Sequence, residues 1–494
     1  MHSTRGVRMR GIAFAVGSIG AVLFAALAAP GCGGGDEGST FGPGGGSGGG
    51  DGGGCVGFGC DPSNEGGRPG CEGLECQQVT CSGGAKTTLT GRVFDPAGKV
   101  PLYNVVVYVA NRELEPIATG PTCDRCDGNV SGKPIALTST DANGDFRLED
   151  VPADTDFPLV MQIGKWRRKV TIPKVAACQS VAASPDLTRL PRNRTEGDIP
   201  RIALTTGSAD PLECLLRKIG LDGSEFGTAG SEARVHLFTG GSTPPSTATS
   251  SFDGGGAFAQ ASSLWGSRAE LEKYDIVMLS CEGGEHQAAK PEAARQALYD
   301  YAKTGGRVFT SHFHHYWFSN SPVPEVKAIA SWTNDFTCQG AGCTFEAEPA
   351  KDVVVNATVN SSFAKGAAMK KWLKNTQSLT GPGETLPIQE ARHNVNAVTA
   401  NALSWMTIQN PAAGNKVAHE YVSFNTPVGA PDDQVCGRVV YSDLHVGAGD
   451  TTGAPFPNGC VTPDMTPQQK ALEFMLFDLS SCIQKDDKPP VLPK

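Results

Sequence analysis

Short apolar strands alternate with helices between residues 201 and 311, and this alternation constrains the fold more than any other feature of the sequence. The runs RIALTTG, ARVHLFTG, DIVMLS and RVFTS have the length and apolar character of buried strands. The segment KPEAARQALYDYAKTGG is typical of a helix, because Pro291 suits its first turn and Gly305 its end. Strands and helices in this order predict a parallel sheet with helices on both faces.

The C-terminal part of the chain completes this pattern. The run GRVVYSDLHV (437–446) reads as a further buried strand, and the last helix is predicted to begin with a capping box at Thr466 and Gln469. Residues 319–435 are less regular and read as an insertion with antiparallel strands. A polar segment rich in proline and arginine, residues 190–200, is predicted to link this region to what precedes it.

Between Thr87 and Pro173 the sequence shows strand signals and no helix of useful length. TTLTGRVFD and YNVVVYVAN alternate apolar and polar residues, and Asn143-Gly144 is a hairpin signal. About seven short strands of this kind predict a β-sandwich.

The stretch GRVFDPAGKVPLYNVVVYV, followed by TSTDANGDFRLEDVP, resembles the carboxypeptidase regulatory-like (transthyretin-like) module. The resemblance covers residues 86–185 and implies a folding or binding module, grouped with carbohydrate-binding-like folds, without catalysis. The positions that carry it are Gly91, Val93, Asp95, Gly98, Pro101, Val105, Val107, Asp141, Gly144, Phe146, Leu148, Val151 and Pro152.

Residues 1–32 are typical of a targeting segment, with a basic start and a short apolar run. LAAPGC resembles a bacterial lipobox, which predicts lipidation of Cys32; the alternative is an ordinary secretory signal cut near Ala29. The favoured expectation is a lipoprotein of the cell envelope, anchored in the outer membrane, with the lipid bilayer as partner. Residues 33–85 then form a disordered glycine-rich tether and a cysteine-rich segment.

The net charge of −9 is spread without clusters of Lys or Arg, so no nucleic-acid partner is expected.

Sixteen cysteines favour disulfides in an oxidising compartment. Without Cys32 the number is odd, so at least one thiol is free or pairs between molecules. The pairs Cys55–Cys60 and Cys338–Cys343 are expected to bridge locally. Longer-range expectations are a bridge from the CxxC of Cys123 and Cys126 to Cys178 and a Cys214–Cys281 bridge. The disulfide candidates are Cys55, Cys60, Cys123, Cys126, Cys178, Cys214, Cys281, Cys338, Cys343, Cys436, Cys460 and Cys482.

Polar residues follow three of the predicted strands, in the runs CEGGEH, HFHHYW and SDLH. Because the carboxyl ends of parallel strands share one edge of a sheet, these residues are expected to line one crevice. The candidate catalytic residues are Glu282, His312, His314, Asp443 and His445. The candidate ligand-binding residues are Glu282, His286, Tyr316 and Trp317. A divalent metal held by His312, His314 and His445 is one interpretation, and a polar pocket without metal is the other.

The same strands are similar to the trehalose-utilisation-type domain of the class I glutamine-amidotransferase-like superfamily. Residues 305–312 and 437–445 carry the resemblance, which implies a flavodoxin-like doubly wound α/β domain over residues 198–485. Amidotransferases of the superfamily use a G-x-C-x-G elbow after the strand that matches RVFTS. Here Ser311 and His312 occupy that place, so glutamine hydrolysis through a thiolate is not expected.

Taken together, these features predict a multidomain exported lipoprotein that is not an enzyme and binds a glycan or a cell-surface protein through the crevice. The alternative is an exported metal-assisted hydrolase that uses the histidine cluster. A third interpretation makes both modules structural spacers.

Overall fold

In the computed structural model, which describes residues 70–241, 247–447, 449–461 and 464–494, two small sheets precede a large mixed sheet. The predicted signal segment, the glycine tether and the cysteines Cys32, Cys55 and Cys60 lie outside the described residues. None of the helices in the described ranges is both long and apolar enough to cross a bilayer.

The first sheets are built from the alternating segments between residues 88 and 182, with apolar side chains such as Leu89, Val107 and Leu159 fully buried. One sheet has the order β4-β1-β7 and the other the order β3-β2-β5-β6. The strands are β1 (Thr88–Arg92), β2 (Val106–Ala110), β3 (Pro134–Ser139), β4 (Asp145–Glu149), β5 (Phe157–Ile163), β6 (Trp166–Ile172) and β7 (Ser180–Ala182).

The remaining elements follow from Ile202 onward and begin with the predicted alternation of strands and helices. They are β8 (Ile202–Thr206), α1 (Leu212–Ile219), β9 (Phe226–Gly227), β10 (Val235–Thr239), β11 (Ala259–Gln260), α2 (Ala261–Trp265), α3 (Arg268–Leu271), β12 (Ile276–Leu279), α4 (Glu292–Lys303), β13 (Arg307–Ser311), α5 (Tyr316–Ser319), α6 (Pro324–Lys327), β14 (Ala330–Trp332), β15 (Val355–Val359), α7 (Ala364–Asn375), β16 (Leu386–Ile388), β17 (Val395–Val398), β18 (Leu403–Asn410), β19 (Lys416–Thr426), β20 (Gly437–Ser442) and α8 (Pro467–Ser480).

The large sheet has the order β11-β10-β8-β12-β13-β20-β19-β18-β15-β16. Neighbours from β11 to β20 are parallel, and those from β20 to β16 are antiparallel. In chain order the five central parallel strands stand 2-1-3-4-5, an order that open doubly wound sheets use. Since β12, β13 and β20 are adjacent and parallel, their carboxyl ends meet at one edge.

Two predicted elements differ from the structure. The segment SSLWGSRAELEKY, predicted as one helix, forms α2 and α3, because Gly266 ends the first and the Ser267 side chain caps the second by accepting from the Glu270 N–H. The predicted strand LPIQEARHNV pairs only near its two ends, in β16 and β17.

The predicted linker at residues 190–200 is packed against the rest of the chain. Leu190 and Ile199 are buried, and Arg189 forms an ion pair with Glu196 at 2.6 Å. The described residues accordingly belong to one compact unit.

Six disulfides are formed among the described cysteines, and two of the expected pairings are corrected. Cys178 pairs with Cys81, while Cys123 and Cys126 reach Cys436 and Cys482, because the loop that carries the CxxC packs beside the end of α8 and the start of β20. Cys214 pairs with Cys460 and leaves Cys281 free and buried. The local Cys338–Cys343 bridge is confirmed, and Cys71–Cys76 is the sixth pair.

Candidate metal centre

The carboxyl ends of three adjacent strands bring Cys281, His312 and His445 together. Each residue contributes one ligand atom, and the three atoms lie within 4.8 Å of one another. Cys281 Sγ is 3.2 Å from His312 Nδ1, and the two imidazole rings are 5.2 Å apart between centroids. All three side chains are buried, with His312 the most exposed at 3%. A thiol and two imidazoles are the ligands that zinc and related ions prefer.

The outer nitrogen of each imidazole faces a carboxylate. His312 Nε2 lies 3.2 Å from Glu348 Oε1, and His445 Nδ1 lies 3.5 Å from Glu390 Oε2. Arg392 lies 3.4 Å from both carboxylates. A carboxylate behind a metal-binding histidine fixes its tautomer and increases its basicity, so this arrangement is the one expected around a bound metal.

The inner nitrogen of His445 supports the same interpretation. His445 Nε2 is buried and has no hydrogen-bond partner in the part of the chain that the structure describes. Cys281 lies near enough to shift the pKa of this ring, but the contact does not have the geometry of a hydrogen bond. An unpaired buried nitrogen is costly, and a metal ion at the centre removes that cost.

The charges at the centre favour a thiolate. Burial raises the pKa of Cys281, but the charge and hydrogen bond of His312, together with the proximity of His445, outweigh burial and bring the pKa well below its usual range. Burial lowers the pKa of His445, whereas Cys281 and Glu390 outweigh it and raise the pKa to about 10. Since a thiolate is the form that binds metals, this electrostatic environment prepares Cys281 to act as a ligand.

The backbone at His312 is strained. Its φ of 44° lies in the left-handed region, directly after β13 and at the start of a 3₁₀ turn over His312–His315. A residue other than glycine pays a conformational cost there, and such strain concentrates at functional sites. In this turn His312 faces Cys281, whereas His314 and His315 contact Ser280 and Ser319.

Two of the predicted site residues, His314 and Asp443, lie outside the cluster that Cys281, His312 and His445 form. His314 Nε2 bonds to the Ser280 carbonyl at 2.8 Å and its Nδ1 accepts the Trp317 indole N–H at 2.8 Å, so neither nitrogen is available to a metal. Asp443 accepts hydrogen bonds from the Tyr441 hydroxyl at 2.5 Å and from the Asn394 N–H at 2.9 Å. Of the predicted metal set, His312 and His445 thus lie together with Cys281, and His314 does not.

The predicted ligand-binding residues also have structural partners. Glu282 forms a buried ion pair with Lys290 and accepts the Gly241 N–H at 2.9 Å, and His286 Nε2 bonds to the Glu282 carbonyl at 3.2 Å. Tyr316 and Trp317 are only 6% and 2% exposed, so their rings cannot stack on a ligand.

Exposed aromatic rings lie instead on either side of the Cys338–Cys343 loop. Phe336 and Phe345 are 62% and 55% exposed. Their ring centroids are 5.8 Å apart, Phe336 lies 6.0 Å from Phe313, and Phe313 lies 4.0 Å from the His312 ring. We call Phe313, Phe336 and Phe345 the aromatic strip; it runs from the surface to the edge of the centre.

Sequence reasoning missed Cys281 as a ligand, the carboxylates Glu348 and Glu390, and the aromatic strip. The odd number of cysteines indicated one unpaired thiol but not which one. Glu348 and the exposed phenylalanines lie in a segment without strand or helix periodicity, so no pattern in the sequence placed them near His312.

Comparison with known proteins finds matches among solved structures. No family model and no curated protein matches the chain. Solved structures similar to it include a ThuA-like protein from Bacteroides uniformis, at 11% identity and TM-score 0.30, over 58% of this chain and 93% of that chain. A ThuA-like protein from Parabacteroides merdae has 11% identity and TM-score 0.29, over 59% of this chain and 94% of its own. Similarities at this level support no statement about what this chain binds or catalyses.

Proposed function

We propose that the protein is a metal-dependent hydrolase whose divalent ion is held by Cys281, His312 and His445. The observation that carries the proposal is the convergence of one thiol and two imidazoles within 4.8 Å, each imidazole having a carboxylate behind it. This function corresponds to the alternative interpretation of the sequence, with Cys281 in place of His314.

The number of ligands favours catalysis over a structural role. Structural zinc sites use four protein ligands, whereas catalytic sites use three and keep the fourth position for water or substrate. A divalent metal held by these residues would supply an activated water, with a pKa lowered to about 7, as a nucleophile at neutral pH. Glu348 and Glu390 have side chains 26% and 23% exposed, so they can exchange protons with solvent while they orient the histidines.

Elemental analysis of the purified protein tests the proposal. We expect about one equivalent of zinc or a similar ion, which Cys281→Ser and His445→Ala each remove. His419→Ala is the matched control, because His419 bonds to Ser404 and lies outside the centre. Hydrolysis of chromogenic esters, phosphate esters and glycosides should disappear with the metal and return when it is restored. A wild-type protein that binds no divalent ion at micromolar concentration would contradict the proposal.

A carbohydrate ligand is a second candidate, supported by the aromatic strip. Exposed flat rings beside carboxylates offer a sugar both a stacking face and hydrogen bonds, and Glu346 and Glu348 lie one and three positions after Phe345 in the chain. In this proposal Phe336 and Phe345 take the place of the predicted ligand-binding residues Tyr316 and Trp317.

A glycan array with the purified protein tests this candidate. The double variant Phe336→Ala, Phe345→Ala should lose binding, whereas Val417→Ala, which removes an exposed apolar side chain elsewhere, should keep it. Equal signals for the double variant and the wild type would exclude the aromatic strip as the binding surface.

We also propose export and anchoring in the outer membrane through a lipid on Cys32. The six disulfides support an oxidising compartment. Labelling of growing cells with a fatty acid tests the anchor: the label should enter the wild-type protein and be absent from Cys32→Ala. A wild-type protein without label favours the ordinary secretory signal cut near Ala29.

The finer domain assignment is likewise our proposal. A transthyretin-like β-sandwich over residues 86–185 is supported by the two sheets of β1 to β7. A flavodoxin-like domain over residues 198–485 is supported by the strand order 2-1-3-4-5. Expression of residues 198–494 alone, with its folding followed by circular dichroism, tests whether the second region is an independent domain.

A further inference from the structure

Asp210 is a buried carboxylate that lies beside the metal centre without belonging to the ligand set. It follows β8 and precedes α1, and its side chain has no exposed surface. No pattern in the sequence distinguishes it from the other acidic residues.

Both carboxylate oxygens of Asp210 accept hydrogen bonds from segments that carry the ligands. Oδ1 accepts the Val446 N–H at 2.7 Å, and Oδ2 accepts the Ser311 hydroxyl at 2.7 Å. The Ser311 oxygen in turn accepts the Cys281 N–H at 2.9 Å. One side chain is thus connected to the ends of three different strands.

Each of these contacts is made at a ligand or next to one. Val446 follows His445, Ser311 precedes His312, and Cys281 is itself a ligand. We infer that Asp210 is the positioning residue that holds the three ligand-bearing segments at the separation a single ion requires. The inference rests on the proposed metal centre and extends it to a residue that does not touch the ion.

The chemistry of the contacts requires a carboxylate. Asp210 meets two donors, and a carboxylate offers an acceptor to each of them. In an Asp210→Asn variant the amide oxygen can still accept from the Val446 N–H, whereas the amide NH₂ group then faces the Ser311 hydroxyl. Ser311 must turn its proton away, and the connection between Asp210 and the Cys281 backbone weakens.

Metal affinity and ligand geometry provide the test. Zinc affinity is measured by competition with a chromophoric chelator, and geometry by the visible absorption of the cobalt-substituted protein. Groups that orient metal ligands typically change affinity by about 10–100-fold when they are removed. We expect Asp210→Asn to weaken zinc binding by at least about tenfold and to shift the cobalt spectrum. Ser311→Ala, which breaks only the path to Cys281, should have a smaller effect in the same direction.

Asp275→Asn is the matched control. Asp275 is also a buried aspartate that accepts from a backbone N–H, that of Arg201 at 2.6 Å, but it lies at the opposite end of β12. This variant should change stability and leave zinc affinity and the cobalt spectrum unchanged. Wild-type affinity and spectrum in Asp210→Asn, or the same loss in Asp275→Asn, would overturn the inference.

Amide hydrogen exchange in the metal-free protein separates this inference from the proposed function. Asp210→Asn should accelerate exchange at Cys281, and Asp210→Ala should accelerate it at both Cys281 and Val446. If the wild type binds no metal, the proposed function fails whatever the exchange shows. If it binds metal but these amides keep their protection in both variants, the positioning role fails alone. If Asp210→Ala does not fold, the Ser311→Ala variant is used in its place. Faster amide exchange at Cys281 then supports the positioning role, and unchanged exchange contradicts it.

Discussion

At the scale of single residues, neighbouring histidines in one short run have different environments. His312 faces Cys281, while His314 and His315 are directed into the surrounding core. Burial lowers the pKa of His314 to about 4 and that of His315 to about 3, so both are neutral at physiological pH. The 3₁₀ turn separates His314 from His312, because residues two positions apart do not share a face of such a turn. His315 is kept apart by its contact with the Ser319 hydroxyl at 3.3 Å.

The variant His314→Ala tests this distinction. It removes the partners of the Trp317 indole and of the Ser280 carbonyl, and loss of such buried hydrogen bonds costs about 1–3 kcal/mol. We expect a lower thermal midpoint with the metal content unchanged. His312→Ala is the comparison and should lose the metal. If the His314→Ala protein is fully folded and has nevertheless lost the metal, His314 would be a metal ligand.

At the scale of secondary-structure elements, α8 forms hydrogen bonds with the segment that carries His445. Its first turn contains Gln468, which donates to the His445 carbonyl at 2.6 Å, and Gln469, which donates to the Val446 carbonyl at 3.1 Å. The predicted capping box is confirmed: the Thr466 hydroxyl accepts the Gln469 N–H at 3.2 Å. The cap therefore fixes the two glutamines that hold the segment carrying His445.

Removal of this cap should have a measurable cost. Thr466→Ala is expected to lower the free energy of unfolding by about 1 kcal/mol, the usual effect of losing a threonine cap. Thr466→Ser keeps the accepting oxygen and should remain near wild type. Urea denaturation of the three proteins measures the difference, and equal midpoints would show that the cap contributes nothing.

The sequence predicted these elements better than it predicted the centre. Strands such as β12, β13 and β20 are continuous apolar runs, and α4 and α8 have recognisable first turns. The position of Glu348 and Glu390 could not be predicted, because both lie in the irregular segment between β14 and β17. The thiol of Cys281 could not be assigned either, since any of fifteen cysteines could have remained unpaired.

At the scale of the whole molecule, buried acidic groups lie where the small sheets meet α8. Glu473 of α8 faces Asp95, and neither Asp95 Oδ2 nor either Glu473 oxygen has a hydrogen-bond partner among the described residues. Burial raises the pKa of Asp95 to about 7. Burial, reinforced by Asp95, raises the pKa of Glu473 well above its ordinary value. The folded protein thus keeps protons at this boundary that the unfolded chain releases.

This pair should make stability depend on pH. The pKa of Asp95 is 3.8 in its ordinary state and about 7 in the folded protein. Between these values the folded state binds more protons than the unfolded state, so the free energy of unfolding falls as the pH rises through this window.

The variant Glu473→Gln should show a smaller decrease in the free energy of unfolding as the pH rises. It should be more stable than the wild type at pH 8, because the uncharged glutamine amide can donate a hydrogen bond to Asp95. We expect a gain of about 1–3 kcal/mol, the range for an unsatisfied buried group that acquires a partner. Thermal unfolding from pH 4 to pH 8 measures it. Parallel pH profiles for variant and wild type would assign the pH dependence to other groups.

Removal of the metal should also act on the whole molecule. A ligand that binds only the folded state stabilises it by RT ln(1 + [L]/Kd), about 2.7 kcal/mol at a hundredfold excess over Kd. A chelator should therefore lower the thermal midpoint of the wild type, while Cys281→Ser should show no response to it. A chelator response in Cys281→Ser would place the bound ion elsewhere.

The disulfides Cys123–Cys436 and Cys126–Cys482 span 313 and 356 residues. During synthesis the two upstream thiols are therefore exposed long before their partners exist, and each can react with Cys178 or Cys214 in the interval. Neither bridge can close until nearly the entire polypeptide has been made. We therefore expect that maturation in an oxidising compartment depends on thiol exchange that undoes early wrong pairs, and that the yield in a host follows the supply of disulfide isomerase.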